Sequence, residues 1–232
     1  MQRPDVVVTH ATTFDNPHLP DPQKQRLSER YMGTNIGRQE LLGQIVEDVP
    51  GAIWSFAEID ADRVTEHPDL TKVAVAVDPP GGATECGIVI AGRARIDGTD
   101  HFYVLEDASG QLSPNGWGLR VIDRYHQHQA SKVIAEPNYG GDMVENIFKH
   151  NDPDVPFELV RATRGKAVRA APVHDLYEQH RVHHLGDLSE LEYEMTHWDP
   201  DASGWSPNRL DALVWAVTWL ADLGRDPRIW FA

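Results

Sequence analysis

Cysteine and long apolar runs are both scarce in this chain of 232 residues. The single cysteine, Cys86, excludes an intrachain disulfide and a zinc site built from several cysteines. No apolar run approaches the ~20 residues that a membrane-spanning helix needs. The first residues, MQRPDVVVTH, lack the apolar core of a signal peptide. We therefore expect a protein of a reducing, cytoplasmic compartment that has no membrane association.

Basic residues are also few, because 21 Lys and Arg face 36 Asp and Glu. The formal net charge is −15 and the isoelectric point is about 5.1. A free-standing, tight nucleic-acid binder is normally basic, so this charge argues against one. An enzyme that meets DNA over a local basic strip remains compatible with it, provided that something else holds the protein on the DNA.

Residues 1–70 differ in composition from the rest of the chain. A proline-broken loop is followed by two predicted short helices, over residues 24–32 and 38–46. Residues 48–69 contain large apolar side chains without a regular period. We interpret residues 1–70 as a linker or docking arm, and we expect the compact domain to begin near Thr71.

From that point to the end of the chain, predicted strands and helices are interspersed. The predicted strands cover residues 72–78, 86–91, 101–106, 132–135 and 156–160. The predicted helices cover residues 114–129, 141–150, 166–180 and 188–195, with a last helix that has Ser206 as its N-cap and Pro207 at its first position. This order predicts an α/β fold in which helices cover a mixed sheet.

The most informative stretch is residues 72–90, KVAVAVDPPGGATECGIVI. Residues 73–77 are all apolar, as in a strand that is covered on both faces. Asp78 ends the run, residues 79–82 force a turn, and residues 87–90 resume an apolar strand. A carboxylate at a strand end lies at the rim of the sheet, where α/β folds bind ligands. Asp before Pro is also a common turn residue, so a capping role for Asp78 is the alternative.

Two further carboxylates occupy comparable places. Glu136 ends the predicted strand KVIAE, and Asp211 lies in the first turn of the last predicted helix. Converging carboxylates repel one another unless a cation neutralises them, and Mg²⁺ and Mn²⁺ favour such oxygen ligands. Two such ions about 4 Å apart serve phosphodiester hydrolysis. The alternatives are a loop carboxylate at Glu136 and a helix-dipole preference at Asp211.

Other polar residues complete the candidate site. Glu85, in the predicted hairpin, is a candidate ligand of a second metal ion or an exposed surface residue. Four basic residues are spaced to flank a DNA backbone or to form a solvated helix face: Arg161, Arg164, Lys166 and Arg169. Four tryptophans near the C-terminus are expected to be packing residues rather than base-stacking platforms: Trp198, Trp205, Trp215 and Trp219.

Six segments in order carry a family resemblance: VAVDPPGG, ECGIVIAG, HFYVLEDASGQLSPNGW, VIAEPNYGGDMV, RATRGKAVRA and SPNRLDALVWAVTWL. In them the chain resembles the C-terminal nuclease domain of phage terminase large subunits, the motor proteins of DNA packaging. The resemblance implies a ribonuclease-H-like fold and cleavage of double-stranded DNA with a divalent metal. It places the acidic triad at Asp78, Glu136 and Asp211, with Glu85 as an accessory acid.

The chain departs from the family pattern at Asn208, where many relatives have an aspartate. Within the first 70 residues, THATTFDNPHL followed by YMGTNIGRQELLGQIVEDVPGAIW resembles the segment that joins the ATPase domain of the motor to its nuclease. No GxxxxGK[ST] phosphate loop is present, so we expect a fragment or a split partner of an ATPase chain. The resemblance also implies double-stranded DNA, the small terminase subunit and the portal protein as partners, and action in the host cytoplasm.

We therefore expect an endonuclease that cuts concatemeric phage DNA at the initiation and termination of packaging. The three acids would bind Mg²⁺ or Mn²⁺, and Arg164 and Lys166 would hold phosphate. One alternative is an actin-like phosphotransferase, although EPNYGG does not resemble the second phosphate-binding hairpin that such a protein needs. The other is a non-catalytic docking module for portal or capsid, with the acids as surface charge.

Overall fold

The computed structural model describes residues 11–31, 41, 48–79, 85–137 and 141–223, which form two compact units that divide between Asp48 and Val49. In the first unit a 3-10 turn, Thr13–Asp15, precedes helix α1, Asp21–Tyr31. Helix α1 begins somewhat before the predicted helix over residues 24–32. The predicted helix over residues 38–46 lies outside the described residues, apart from Leu41.

The second unit contains one six-stranded sheet and six described helices. Its strands are β1 (Lys72–Asp78), β2 (Gly87–Ile96), β3 (Thr99–Asp107), β4 (Lys132–Ala135), β5 (Phe157–Leu159) and β6 (Val182–His184). Its helices are α2 (Phe56–Ala61), α3 (Pro114–Gln127), α4 (Gly141–Asn151), α5 (Lys166–Glu178), α6 (Ser189–His197) and α7 (Asn208–Leu220). The strand order is β5-β4-β1-β2-β3-β6. Strand β2 pairs antiparallel with β1 and β3, whereas β1–β4, β4–β5 and β3–β6 are parallel.

Strand β1 lies at the centre of the sheet and is buried on both faces, as its apolar sequence predicted. Val73, Val75 and Val77 pack into one core, and Ala74 and Ala76 pack into the other. The alternation follows from the two-residue period of a strand. The predicted hairpin is also confirmed, because β1 pairs with β2 from the Lys72–Arg93 pair to the Asp78–Gly87 pair.

Helices cover both faces of the sheet, which confirms the predicted α/β architecture. Helices α3 and α4 pack on the face of Val75, and their core side chains include Trp117 and Phe148. Helices α2, α5, α6 and α7 pack on the face of Ala76, where α7 lies across β1 and β2. None of the helices in the described ranges is long and apolar enough to cross a membrane.

Three details differ from the sequence-based expectations. Residues 49–70 belong to the compact unit, because Trp54 and Ile59 are buried in the core beneath α5 and α6. The short strand β6 was not predicted. The prediction of Ser206 as an N-cap is wrong, since helix α7 begins at Asn208 and the N-cap residue, Pro207, makes no side-chain cap hydrogen bond.

Candidate metal and nucleic-acid site

Three carboxylates that are remote in sequence lie on one face of the sheet. Asp78 ends β1 on the side of Ala74 and Ala76, and Glu136 directly follows the parallel neighbour β4. The Glu136 N–H donates to the carbonyl of Val77 at 3.2 Å, so the strand pairing extends to this residue. Asp211 lies in the first turn of α7, which covers the same face. The predicted triad therefore occupies the rim where β1, β4 and α7 meet.

All three acids are buried, with residue exposures of 2% for Asp78, 9% for Glu136 and 3% for Asp211. Buried carboxylates require compensating partners. Two basic residues from the first turn of α5, Lys166 and Arg169, supply them.

Lys166 and Arg169 contact the acids directly. An Arg169 guanidinium N–H donates to Asp211 Oδ1 at 3.0 Å, and Nη1 of Arg169 lies 3.7 Å from Glu136 Oε2. The Lys166 ammonium contacts the other oxygen of Asp211. Burial lowers the pKa of Lys166 and of Arg169, and the negative charges of Asp78 and Glu136 oppose this shift. The site thus combines three acids with two cations.

Trp215 fixes the orientation of Glu136. It lies one helical turn after Asp211, and its indole N–H donates to Glu136 Oε2 at 2.7 Å. The guanidinium carbon of Arg169 lies 4.7 Å from the centroid of the Trp215 ring. Sequence reasoning assigned Trp215 to packing alone. The spacing of four residues from Asp211 was the available signal, because residues i and i+4 share a helix face.

The accessory acid Glu85 lies in a separate ion-pair network around Arg209. The Arg209 guanidinium donates to Glu85 Oε2 at 2.7 Å and to Asp107 Oδ2 at 2.6 Å. Burial alone would lower the pKa of Arg209, but Asp107 and Glu85 raise it above its ordinary value. The carboxylate of Glu85 is thus held by an arginine, and 39% of its side chain is exposed.

A half-buried acid on α6, Glu194, caps the N-terminus of α7. Glu194 Oε2 accepts the backbone N–H groups of Arg209 at 2.9 Å and Leu210 at 3.1 Å. Burial raises the pKa of Glu194 to about 7, although these N–H groups and the Arg209 charge oppose the rise. Glu194 therefore replaces the predicted Ser206 cap, and it helps to position the helix that carries Asp211.

Asn208, the departure from the family pattern, connects α7 to the start of β2. Its side-chain amide donates to the carbonyl of Glu85 at 2.6 Å, and the Ser206 hydroxyl donates to its Oδ1 at 2.9 Å. A Cβ on Gly87 would lie 1.9 Å from the Asn208 carbonyl oxygen, so only glycine permits this approach. An aspartate at position 208 would place a carboxylate oxygen against the Glu85 carbonyl, which explains why an amide fits here.

The four predicted DNA-binding residues divide into two pairs. Arg161 and Arg164 are exposed, whereas Lys166 and Arg169 face the acids. A cavity of about 300 Å³ is lined by Arg161, Arg164 and Arg169, but not by Lys166. The structure therefore leaves Arg161 and Arg164 as the pair that faces outward.

The donor set suits a hard divalent cation, since it consists of carboxylate oxygens from Asp78, Glu136 and Asp211. Within residues 11–31, 41, 48–79, 85–137 and 141–223, however, no three His, Cys, Asp or Glu side chains are grouped closely enough to hold a metal ion as they stand. Lys166 and Arg169 balance the acids instead. A bound cation would therefore have to compete with these two side chains.

Comparison with known proteins places this fold in a family of terminase domains. The model of the terminase RNaseH-like domain family matches residues 75–219, which is more than half of the chain. The chain belongs to this family, and its mixed six-stranded sheet is the ribonuclease-H-like fold. A sequence comparison with curated proteins gives no match.

Solved structures of large terminases share this fold. One from a thermophilic bacteriophage has 17% identity and a TM-score of 0.56 over 90% of this chain and 55% of its own, so the chain spans about half of that protein. A mutant form of the bacteriophage Sf6 large terminase subunit, solved with calcium, has 13% identity and a TM-score of 0.53, covering 70% of this chain and 97% of its own. The nuclease of thermophilic phage G20c, solved with magnesium, has 9% identity and a TM-score of 0.50, covering 73% and 98%.

Proposed function

We propose that this chain is a divalent-metal-dependent DNA endonuclease domain of a phage packaging terminase, which cuts concatemeric double-stranded DNA at the initiation and termination of packaging. The observation that carries the proposal is the position of Asp78, Glu136 and Asp211 on one buried rim, where β1, β4 and α7 come together. Buried acids do not fit the alternative of a non-catalytic docking module with the acids as surface charge. Magnesium and calcium in the related terminase structures support a hard divalent cation here as well.

Asp78, Glu136 and Asp211 would hold the metal, which is Mg²⁺ or Mn²⁺ and would number two ions if Glu85 contributes. When bound, such ions activate water and stabilise the leaving oxygen of a phosphodiester. Glu85 has the weaker claim, because Arg209 holds its carboxylate.

The four basic residues have two roles: the outward pair contacts DNA phosphates, and the inward pair compensates the charge of the buried acids. Arg161 and Arg164 face outward and would contact DNA phosphates by charge-assisted hydrogen bonds. Lys166 and Arg169 keep the buried acids compensated, and Lys166 would turn to a substrate phosphate once its hold on Asp211 is relieved.

The partners follow from the charge and from the family. A protein with a net charge of −15 binds DNA weakly by itself. We propose that a terminase ATPase domain or chain raises the local DNA concentration, and that the small terminase subunit and the portal protein complete the assembly in the host cytoplasm.

Cleavage of supercoiled plasmid in Mn²⁺ or Mg²⁺ tests this function. Wild-type protein should nick or linearise the plasmid, EDTA should stop the reaction, and Asp211→Asn should lower the rate at least 100-fold. Asp154→Asn is the matched control, because Asp154 is exposed and precedes β5 at the opposite end of the parallel strands. Undiminished cleavage by Asp211→Asn would refute the assignment of the site.

A further inference from the structure

A mixed cationic and apolar cavity lies beside the acids, between α5 and α7. We call it the α5–α7 cavity and define it by Arg161, Arg164, Val168, Arg169, Trp215 and Thr218. Its volume of about 300 Å³ is at the lower end of the range for ligand cavities. It therefore suits a ligand about the size of one nucleotide.

The lining of the α5–α7 cavity has two chemically distinct parts. Arg161 and Arg164 supply exposed positive charge at its mouth. Val168, Trp215 and further apolar side chains form the wall, with the Thr218 hydroxyl among them. A groove for a duplex backbone needs only the charge, whereas this wall offers contact to a flat, largely apolar group. A nucleotide combines an anionic phosphate with such a group.

Arg169 provides a second, independent observation. Its side chain is only 11% exposed, and its Nε and Nη1 atoms make no hydrogen bond within the described part of the chain, although Nη1 lies 3.7 Å from Glu136 Oε2. Buried guanidinium N–H groups without acceptors are costly. A ligand that carries phosphate or carbonyl oxygens into the cavity would satisfy them.

The α5–α7 cavity is adjacent to the candidate metal site, because Arg169 and Trp215 line the cavity and also contact Glu136. A strand whose phosphodiester lies at the acids would thus pass the mouth of the cavity with an adjacent nucleotide.

We propose that the α5–α7 cavity binds one unpaired nucleotide of the DNA strand beside the phosphodiester to be cut. This inference rests on the proposed function. The phosphate faces Arg161 and Arg164, and the base lies against Val168, Trp215 and Thr218. Binding a base in this way requires local unpairing of the duplex, which costs a few kcal/mol and is least costly at mismatches, gaps and ends.

Fluorescence anisotropy in EDTA and low salt tests the cavity without any cleavage. The probes are two labelled single-stranded DNAs of 12 nucleotides with equal numbers of phosphates. One consists of thymidines, and in the other abasic sites replace the internal bases. Wild-type protein should bind the thymidine strand at least fivefold more tightly, because only that strand has bases to bury. Arg164→Ala should weaken both strands to a similar extent, since both have the same phosphates.

Two variants address the apolar wall. Thr218→Leu fills the cavity, and Val168→Gln makes the wall polar at a residue that is 52% exposed, so folding is not at risk. Both should abolish the preference for thymidine and leave abasic binding unchanged. Leu119→Gln is the matched control, because Leu119 is an exposed apolar residue of α3 on the opposite face of the sheet.

Three outcomes would overturn the proposal: equal binding of both strands by wild-type protein, a preference that survives in both cavity variants, or no measurable binding of the thymidine strand at low salt. Because metal is absent, these outcomes are independent of the plasmid assay. A protein that prefers the thymidine strand but does not cut plasmid would support the proposed nucleotide cavity and refute the proposed nuclease activity. A protein that cuts plasmid but binds both strands equally would support the nuclease activity and refute the nucleotide cavity.

Discussion

Replacing Trp215 with Phe should weaken metal binding far more than it weakens the fold. Phenylalanine keeps an aromatic ring for Arg169 to stack on but removes the N–H that lies 2.7 Å from Glu136 Oε2. A hydrogen bond to a charged group contributes about 1.5–3 kcal/mol. Loss of a group that orients a metal ligand typically costs 10–100-fold in affinity. We expect Trp215→Phe to raise the Kd for Mn²⁺ by about 10–100-fold.

The same helix offers a matched control. Trp219, one turn after Trp215, also donates its indole N–H to a carboxylate, Glu158 Oε2 at 3.3 Å. Glu158 belongs to β5 and is not one of the candidate ligands, so Trp219→Phe should leave Mn²⁺ affinity unchanged. Both variants lose one comparable hydrogen bond, so their metal-free unfolding free energies should fall by similar amounts, within about 3 kcal/mol of wild type.

Isothermal titration calorimetry with Mn²⁺ and urea denaturation in EDTA provide the two readouts. The reasoning is refuted if Trp215→Phe binds Mn²⁺ as tightly as wild type, because Trp215 would then not orient Glu136. Equal weakening in both tryptophan variants would also contradict it, since the effect would then be a general one on α7.

Three further predictions concern the charged groups of the core. Asp78→Asn should leave the metal-free melting temperature unchanged or higher, because three acids outnumber two cations. In wild type, Mn²⁺ at 100 times its Kd should add about 2.7 kcal/mol of stability, or roughly 5–10 °C in melting temperature. The variant should lose this gain, and a remaining Mn²⁺-induced shift would contradict the prediction. Since the Glu194 pKa is raised from 4.5 to about 7 in the folded protein, its protonated form favours folding, so stability falls by about 3 kcal/mol as pH rises through this interval. Glu194→Gln should remove that slope in urea denaturation measured at pH 5 and pH 8, and an unchanged slope would exclude Glu194 as its source. Burial alone would raise the pKa of Glu192, but His184 and Arg63 lower it to about 2. Glu192→Gln should lower the unfolding free energy by about 3–5 kcal/mol, because Arg63 loses a buried partner. A loss below 1 kcal/mol in urea denaturation would refute this prediction.

The local sequence was sufficient to predict the centre of the fold. Five consecutive apolar residues before Asp78 predict a strand covered on both faces, and the proline–glycine pairs after it predict a hairpin. Strands β1 and β4 are parallel neighbours, so the acids at their ends meet at one rim. This much depends only on the period of a strand and on turn chemistry.

The partners of the acids could not be predicted in the same way. Lys166 and Arg169 have the spacing of a solvated basic helix face, and only the packing of α5 against α7 turns them toward Asp211. Arg209 contacts Glu194 of α6 and Asp107 of β3, because both elements converge on the start of α7. Such contacts arise from tertiary packing, which no local pattern encodes.

The segment before β1 also could not be placed from its local sequence pattern. Residues 49–70 have no regular apolar period, yet Trp54 and Ile59 fill the core beneath α5 and α6. Strand β6 has only three residues, and its parallel pairing with β3 is a contact between positions distant in sequence.

The most direct test of the central claim is anomalous diffraction from a crystal of this protein soaked in Mn²⁺. We predict an anomalous peak among the carboxylates of Asp78, Glu136 and Asp211, with the Lys166 ammonium moved away from Asp211. Mn²⁺ bound elsewhere, with Lys166 and Arg169 still paired to the acids, would show that these carboxylates form a structural ion-pair cluster and not a metal site.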